Sequence, residues 1–239
     1  WRRASAIFIS KGVFVKMYKA AVFDLDGTIA DTIDTICYYG NRSMKKFNLP
    51  CIERDRYKYL VGCGYENLVK GMLCEKGAYT DGLFDEMKSY YHDDYETDSM
   101  YLTKPYDGIL ETVAFLKNQG FKLGVLSNKP TGAVHDVIDA FFEKGTFDIC
   151  LGGGEGFPLK PDPSALFHIL KELDVKLCEC IYIGDTKVDV ETGKAANVFT
   201  IGALWGFRTY DELKSAGADV IASVPSDICD IVKEKNNIN

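Results

Sequence analysis

Short apolar runs recur along this chain, and each is continuous rather than alternating. They are AAVF from Ala20, KLGVLS from Lys122, FDICL from Phe147, CIYIG from Cys180 and VFTIG from Val198. Unbroken runs of this kind suit strands buried on both faces of a parallel sheet. Helical patterns stand between them. ILETVAFLKNQ from Ile109 ends at Gly120, a C-terminal stop. SALFHILKEL from Ser164 follows Asp162 as N-cap and Pro163 as first helical residue. Thr209 and Glu212 suit a capping box on a short helix ending near Gly217. Strand and helix alternate, so the main body is expected to be an α/β sandwich around a parallel sheet.

One region breaks the alternation. From Thr32 to Lys104 no good strand pattern occurs, while helical stretches recur as TIDTICYYGNRSMKKF, ENLVKGMLCEKG and LFDEMKSYYHDDY. An insertion of roughly 70 residues is far longer than an ordinary strand-to-helix connection and predicts a separate helical cap domain over residues 32–104. The core is then 17–31 and 105–239. Residues 1–16, WRRASAIFISKGVFVK, precede Met17, a natural start for MYKAAVFDLDG, and are expected to be an expression-derived or upstream extension. Within the insert, VGCGYENLV places Gly62 and Gly64 just before a helix. That pattern fits a plain helix–helix turn as well as a substrate-facing loop.

Composition narrows the class. The chain has 239 residues and a net charge of −7, which argues against a generic nucleic-acid binder without forbidding an anionic substrate. No apolar run approaches the length of a membrane span. Eight scattered cysteines with no C-x-x-C pair read as free thiols in a reducing cytoplasm.

The candidate chemistry lies at strand ends. Asp24 and Asp26 follow the first strand, and residues two apart in extended chain point the same way. Two carboxylates side by side repel unless a cation or a proton stands between them. Gly27 then permits a sharp turn and Thr28 offers a hydroxyl. Alone, DLDGT also suits a strand-ending turn whose aspartates only cap a helix. The later strands add to it: Ser127-Asn128-Lys129 ends the second, Lys160-Pro161-Asp162-Pro163 follows the third, and Gly184-Asp185-Thr186 ends the fourth, with Asp189 four residues after Asp185.

Together, DLDGT, SNK, KPDP and GDTKVD resemble the four motifs of the haloacid dehalogenase superfamily of phosphotransferases, in order, over the whole chain from Met17. The helical insert lies between the first and second motifs, where that superfamily carries its cap. YDGILETVAFLKNQGFKLGVLSNKP, LWGFRTYDELKSAGADVI and VGCGYENLV resemble its phosphoglycolate phosphatases most. Asn197 departs from the glycine usual there, a difference of local backbone rather than chemistry.

The resemblance implies a Rossmann-like three-layer core with a central parallel sheet plus an inserted α-helical cap domain. It also implies a Mg2+-dependent phosphatase acting on a small-molecule phosphomonoester, first of all 2-phosphoglycolate, through an aspartyl-phosphate. Asp24 would be the nucleophile and Asp26 the general acid and base. Lys160 would neutralise the phosphoryl group and restrain Asp24. Ser127 and Asn128 would bind phosphate oxygens through hydroxyl and backbone N–H groups. Asp24, Asp185 and the backbone carbonyl of Asp26 would hold the metal. Asp189 and Thr28 would support that shell, although Asp189 equally suits a helix N-terminal carboxylate. Gly62 and Gly64 would form a specificity loop.

A same-fold alternative is a sugar-phosphate mutase; a pyrophosphatase or nucleotidase is another. A non-catalytic receiver or nucleotide-binding module fits poorly, since a receiver needs neither a second aspartate nor a large cap. Partners are expected to exclude nucleic acid and membrane, the state to be monomer or homodimer, and the location cytoplasmic. GGGEG at Gly152 is expected to be a flexible loop leading to Lys160. His92, His135, His168 and the tyrosines around Tyr90 are expected to serve surface or packing roles, and Trp205 to pack in the core.

Overall fold

The computed structural model describes residues 18–154 and 156–238, so the expected extension at 1–16 lies outside the described residues. Six parallel strands form the central sheet: β1 (Ala20–Phe23), β4 (Lys122–Pro130), β5 (Ile149–Gly153), β6 (Cys180–Gly184), β7 (Phe199–Ala203) and β8 (Val220–Ala222). Their order is β5-β4-β1-β6-β7-β8, all parallel neighbours. β1 is flanked by β4 on one side and β6 on the other. The chain therefore leaves the sheet centre in both directions, and a crevice opens at the carboxyl ends of these three strands.

The alternation along β1 explains its unbroken apolar run. Ala21 and Phe23 pack on one face, against α5 (Ile109–Asn118) and α10 (Ser226–Asn236), while Ala20 and Val22 face α7 (Ser164–Glu172). Both faces are covered, so every residue of the strand is buried.

The insert holds α1 (Ile33–Lys46), α2 (Arg54–Leu60), α3 (Tyr65–Glu75) and α4 (Asp81–Tyr95). They enclose an apolar cluster of their own, including Ile36, Tyr57, Met72 and Tyr91. Two residues of the main body, Ala133 and Phe207, join it. Gly40 in α1 admits the ring of Tyr57, which a Cβ there would meet at 2.5 Å. The chain enters and leaves the insert side by side, through an antiparallel ribbon of β2 (Ala30–Asp31) and β3 (Lys104–Pro105).

Several local expectations need correction. The main sheet has six strands rather than five, because Val220–Ala222 adds an edge too short and half-exposed to stand out as an apolar run. Gly152 and Gly153 of GGGEG belong to β5 rather than to a loop; a Cβ on Gly152 would meet Lys129 O at 2.6 Å, so the glycines let β5 close on the end of β4. Glu155 lies outside the described residues. Helix α7 begins one residue late, with Pro163 at the cap position, and Asp162 holds it by accepting from Ser164 N at 2.9 Å. At α9 (Tyr210–Ala216) only half of the capping box forms: Thr209 accepts from Glu212 N, but the Glu212 carboxylate takes Arg208 instead. Asn197 has φ 55, the left-handed conformation for which glycine is the usual residue and asparagine the tolerated one.

Candidate active site

The site is assembled at the carboxyl ends of β1, β4 and β6. Asp24 follows β1 directly and stays in register, its N–H donating to Ile183 O at 2.8 Å. Leu25 turns into the core, fully buried, so Asp24 and Asp26 face the crevice together. Gly27 then turns back with φ +88, and its N–H closes the loop on Ala30 O at 2.9 Å. A Cβ on Gly27 would stand 2.3 Å from Asp185 Oδ2, and one on Gly206 would stand 2.3 Å from Asp185 Cβ. Two glycines from separate loops thus make room for Asp185 beside Asp24.

Lys160 is the cation of this cluster. It is 5% exposed, and its Nζ lies 2.7 Å from Asp24 Oδ1, 2.6 Å from Asp189 Oδ1 and 3.1 Å from Leu126 O. Asp189 is held on every side. Its Oδ1 also accepts from Tyr182 OH, and its Oδ2 from Thr186 N–H and Thr186 Oγ1. It is therefore both the N-terminal carboxylate of α8 (Lys187–Ala195), in a capping box with Thr186, and the carboxylate that fixes Lys160. Asp185 accepts one bond on each oxygen, from Thr28 Oγ1 at 3.1 Å and Phe207 N at 2.8 Å.

Oxygens of Asp24, Asp185 and Asp189 lie within 4.8 Å of one another, and all three residues are buried. With all three carboxylates ionised, the one ammonium paired with them among the described residues, Lys160, leaves a deficit of two charges in a buried region. Burial lifts the Asp24 carboxyl to about 7, with repulsion from Asp189 adding to the effect and Lys160 opposing it. Burial, then Asp189 and Asp24, also hold Asp185 well above the usual carboxylate range. Lys160 responds in the opposite sense: burial works against its charge, yet Asp189 and Asp24 keep it well above an ordinary lysine. Hard oxygen donors lacking two positive charges fit a divalent cation such as Mg2+. Asp24 and Asp185 keep lone pairs that could hold it, whereas Asp189 is committed to Lys160, Tyr182 and Thr186.

At the end of β4, Ser127 lines the crevice, and its Oγ accepts from Lys129 N at 3.3 Å. The Asn128 side chain is occupied by structure. It accepts from Lys160 N at 2.8 Å and donates to Lys160 O at 3.1 Å and to Gly62 O at 2.8 Å. A phosphate contact from Asn128 is therefore left to its backbone. The same amide ties the Val61–Gly64 segment of the insert to the loop that carries Lys160.

The helical insert closes a cavity of about 70 Å3 over these groups. Gly62 and Gly64 line it with φ +115 and +84. The rest of the wall is largely apolar and aromatic, with Ile36, Leu68, Tyr91 and Phe207. His92 and Tyr95, expected in packing or surface roles, line it too; His92 stacks on Tyr65 at 5.3 Å. Trp205 is half-buried against the core, and its Nε1 donates to Thr28 O at 3.0 Å, fixing the turn after Asp26. Arg208, unremarked in the sequence, reaches from the main body to the insert, donating to Lys58 O and, at 3.1 Å, to Val61 O. Lys129 meets Asp26 at 3.2 Å. It was visible inside SNK, but no pattern along the chain connects it to a carboxylate 103 residues away.

Over most of its length the chain is similar to known proteins. The profile of the haloacid dehalogenase-like hydrolases matches residues 21–203. The phosphoglycolate phosphatase of Aquifex aeolicus is 31% identical over 210 residues, which cover 88% of this chain and 94% of that protein. The phosphoglycolate phosphatase of Colwellia psychrerythraea is 28% identical over 201 residues, 82% of this chain and 88% of that one. A crystal structure from Lactobacillus delbrueckii subsp. bulgaricus, provisionally named a phosphoglycolate phosphatase, superposes with a TM-score of 0.86 at 28% identity, covering 90% of this chain and 98% of that one.

Proposed function

The chain belongs to the haloacid dehalogenase-like hydrolases, as a phosphatase of their phosphoglycolate phosphatase-like branch, and from that premise we propose that it hydrolyses a small phosphomonoester, 2-phosphoglycolate first among them, with Mg2+ and through an aspartyl-phosphate on Asp24. The observation that carries this reading is the buried cluster itself: Asp24 beside Lys160 and Asp185, two positive charges short, with Asp26 facing the same crevice.

Asp24 attacks phosphorus, and the bond from phosphorus to the leaving oxygen breaks. Asp26 gives its proton to that oxygen and leaves as a carboxylate. Asp26 then takes a proton from the water that attacks the aspartyl-phosphate, which releases phosphate and returns Asp24. Lys160 stabilises charge on the transferring group and keeps Asp24 in line, itself held by Asp189. Ser127 and the Asn128 backbone bind phosphate oxygens. Asp24, Asp185 and the Asp26 carbonyl would hold Mg2+, which when bound offsets the negative charge of the phosphoryl group. Thr28 and Phe207 N–H orient Asp185 for that task. Residues 32–104 act as a cap domain on a core of 17–31 and 105–239, excluding water from the apolar cavity.

Phosphate release from 2-phosphoglycolate in the presence of Mg2+ tests the reading. Chelation is expected to lower the rate by roughly 100-fold or more, and Ca2+ to replace Mg2+ poorly because it takes more ligands at longer distances. Full activity after exhaustive chelation, or no hydrolysis of any phosphomonoester, would contradict it.

Free thiols at all eight cysteines accord with a reducing, cytoplasmic location. No helix among the described residues is long and apolar enough to cross a membrane.

The Gly62–Gly64 loop sets specificity in this reading. Gly62→Val forces a branched side chain onto φ +115 in the cavity wall, beside Thr186. It is expected to lower kcat/KM for the best substrate by roughly 10- to 100-fold, and for a small aryl phosphate by only a few-fold. Equal losses on both substrates would assign the loop to structure alone.

A further inference from the structure

Lys129 has no part in the steps above, yet it occupies a central position. It stands at the end of β4, with its side chain 5% exposed. Its Nζ donates to Asp26 Oδ1 at 3.2 Å and to Tyr95 OH at 2.5 Å, the latter from α4 of the insert. All three residues line the cavity. The Lys129 ammonium is shut away from water, and Asp26 is the one carboxylate in salt-bridge reach among the described residues; when Asp26 carries its proton, the negative charge of a phosphoryl group bound in the same cavity would take its place. The dependence is mutual. Asp26 is half-buried at the mouth of the crevice, and among the described residues its carboxylate makes its only hydrogen bond with Lys129.

We propose that Lys129 is a positioning residue that holds the Asp26 carboxyl toward the leaving group, and that Tyr95 anchors Lys129 when the helical insert lies over the core. Lys129 occupies Oδ1 of Asp26, so Oδ2 is the oxygen left to serve the leaving group. Tyr95 belongs to the insert and Lys129 to the main body, so this anchor exists only while the two are closed on each other. The acid is thereby set in place when the site is shut, which links closure to chemistry. The inference rests on the reading of Asp26 as the acid.

Leaving-group dependence separates this role from simple structural support. Benzyl phosphate and 4-nitrophenyl phosphate are similar in size, but only the benzyl alkoxide needs a proton as it departs. kcat/KM reports the transfer step, so hydrolysis of the shared aspartyl-phosphate drops out of the comparison. With Mg2+ present, Lys129→Met is expected to lower kcat/KM for benzyl phosphate by about 100-fold, and for 4-nitrophenyl phosphate by no more than about 5-fold. Tyr95→Phe keeps the ring and removes only the hydroxyl, so it provides a second variant that should fold. It is expected to show the same selectivity at roughly 5- to 10-fold.

Asp26→Asn supplies the reference. If it loses benzyl phosphate selectively while Lys129→Met and Tyr95→Phe lose both esters equally or neither, the positioning role is overturned and the acid role stands. If Asp26→Asn itself lacks selectivity, the acid assignment falls and the positioning role with it. Selective loss in all three variants supports both.

Discussion

Asp24→Asn is expected to lower phosphate release by on the order of 10⁴-fold or more, and to leave the folded protein at least as stable as the parent. The first effect follows because asparagine keeps the shape of the side chain but offers no nucleophilic oxygen. The second follows from burial. Asp24 is one of three buried carboxylates served by a single ammonium, so removing its charge relieves a deficit. Lys160 keeps Asp189 at 2.6 Å and Leu126 O at 3.1 Å. The pH dependence has a definite sign. The folded-state value of Asp24 is raised from 3.8 to about 7, so the native state binds a proton that the unfolded state has released. The group favours folding most below about 3.8, and that contribution is lost as pH rises toward about 7. In chelator, the melting temperature of the parent should therefore fall over this window more than that of Asp24→Asn. Turnover within 10-fold of the parent would remove Asp24 from the nucleophile's role, and a lower melting temperature would show that its charge is compensated in the fold.

How much of this was legible in the sequence depended on how local the cause was. β1, β4 and β6 are central strands covered on both faces, so burial writes itself as an unbroken apolar run. β8 is a three-residue edge, and β2 and β3 are two-residue strands, too short to leave a pattern. The carboxylates were visible because strand ends gather at one edge of a parallel sheet, which brings Asp24, Ser127 and Asp185 together whatever their separation along the chain. The residues that the insert brings to the cavity had no such rule. Tyr95 and His92 lie on a helix whose pattern reads as packing, and only the fold of the insert aims them at the crevice. Gly206 was equally silent: it has no unusual φ, and its reason is the Asp185 side chain that fills the space of a Cβ. Asn128 shows a different limit: the motif implied a phosphate contact through its backbone N–H, and nothing in the sequence indicated that its side-chain amide joins Lys160 and Gly62.

Lys160→Met is the counterpart of Asp24→Asn, and the two should differ in sign on stability. Methionine matches the stem of lysine in length but leaves Asp24, Asp185 and Asp189 with no buried cation among them. Breaking a buried pair so that charge is stranded costs about 3–5 kcal/mol. In a domain of this size that corresponds to a fall in melting temperature of roughly 6–20 °C. Activity should fall by about 10³-fold or more, because in the proposed mechanism Lys160 both orients Asp24 and meets the charge of the transferring group. Calorimetry separates the two losses when a second change is added. Asp189→Asn on the Lys160→Met background removes one stranded charge and keeps a polar side chain for Thr186 and Tyr182. The double variant should regain a good part of the lost stability, a favourable coupling between neighbours. It should regain no activity, since no cation returns to Asp24. A Lys160→Met protein as stable as the parent would mean that the three carboxylates do not carry the charge assigned to them, and the argument for a divalent cation between Asp24 and Asp185 would lose its basis.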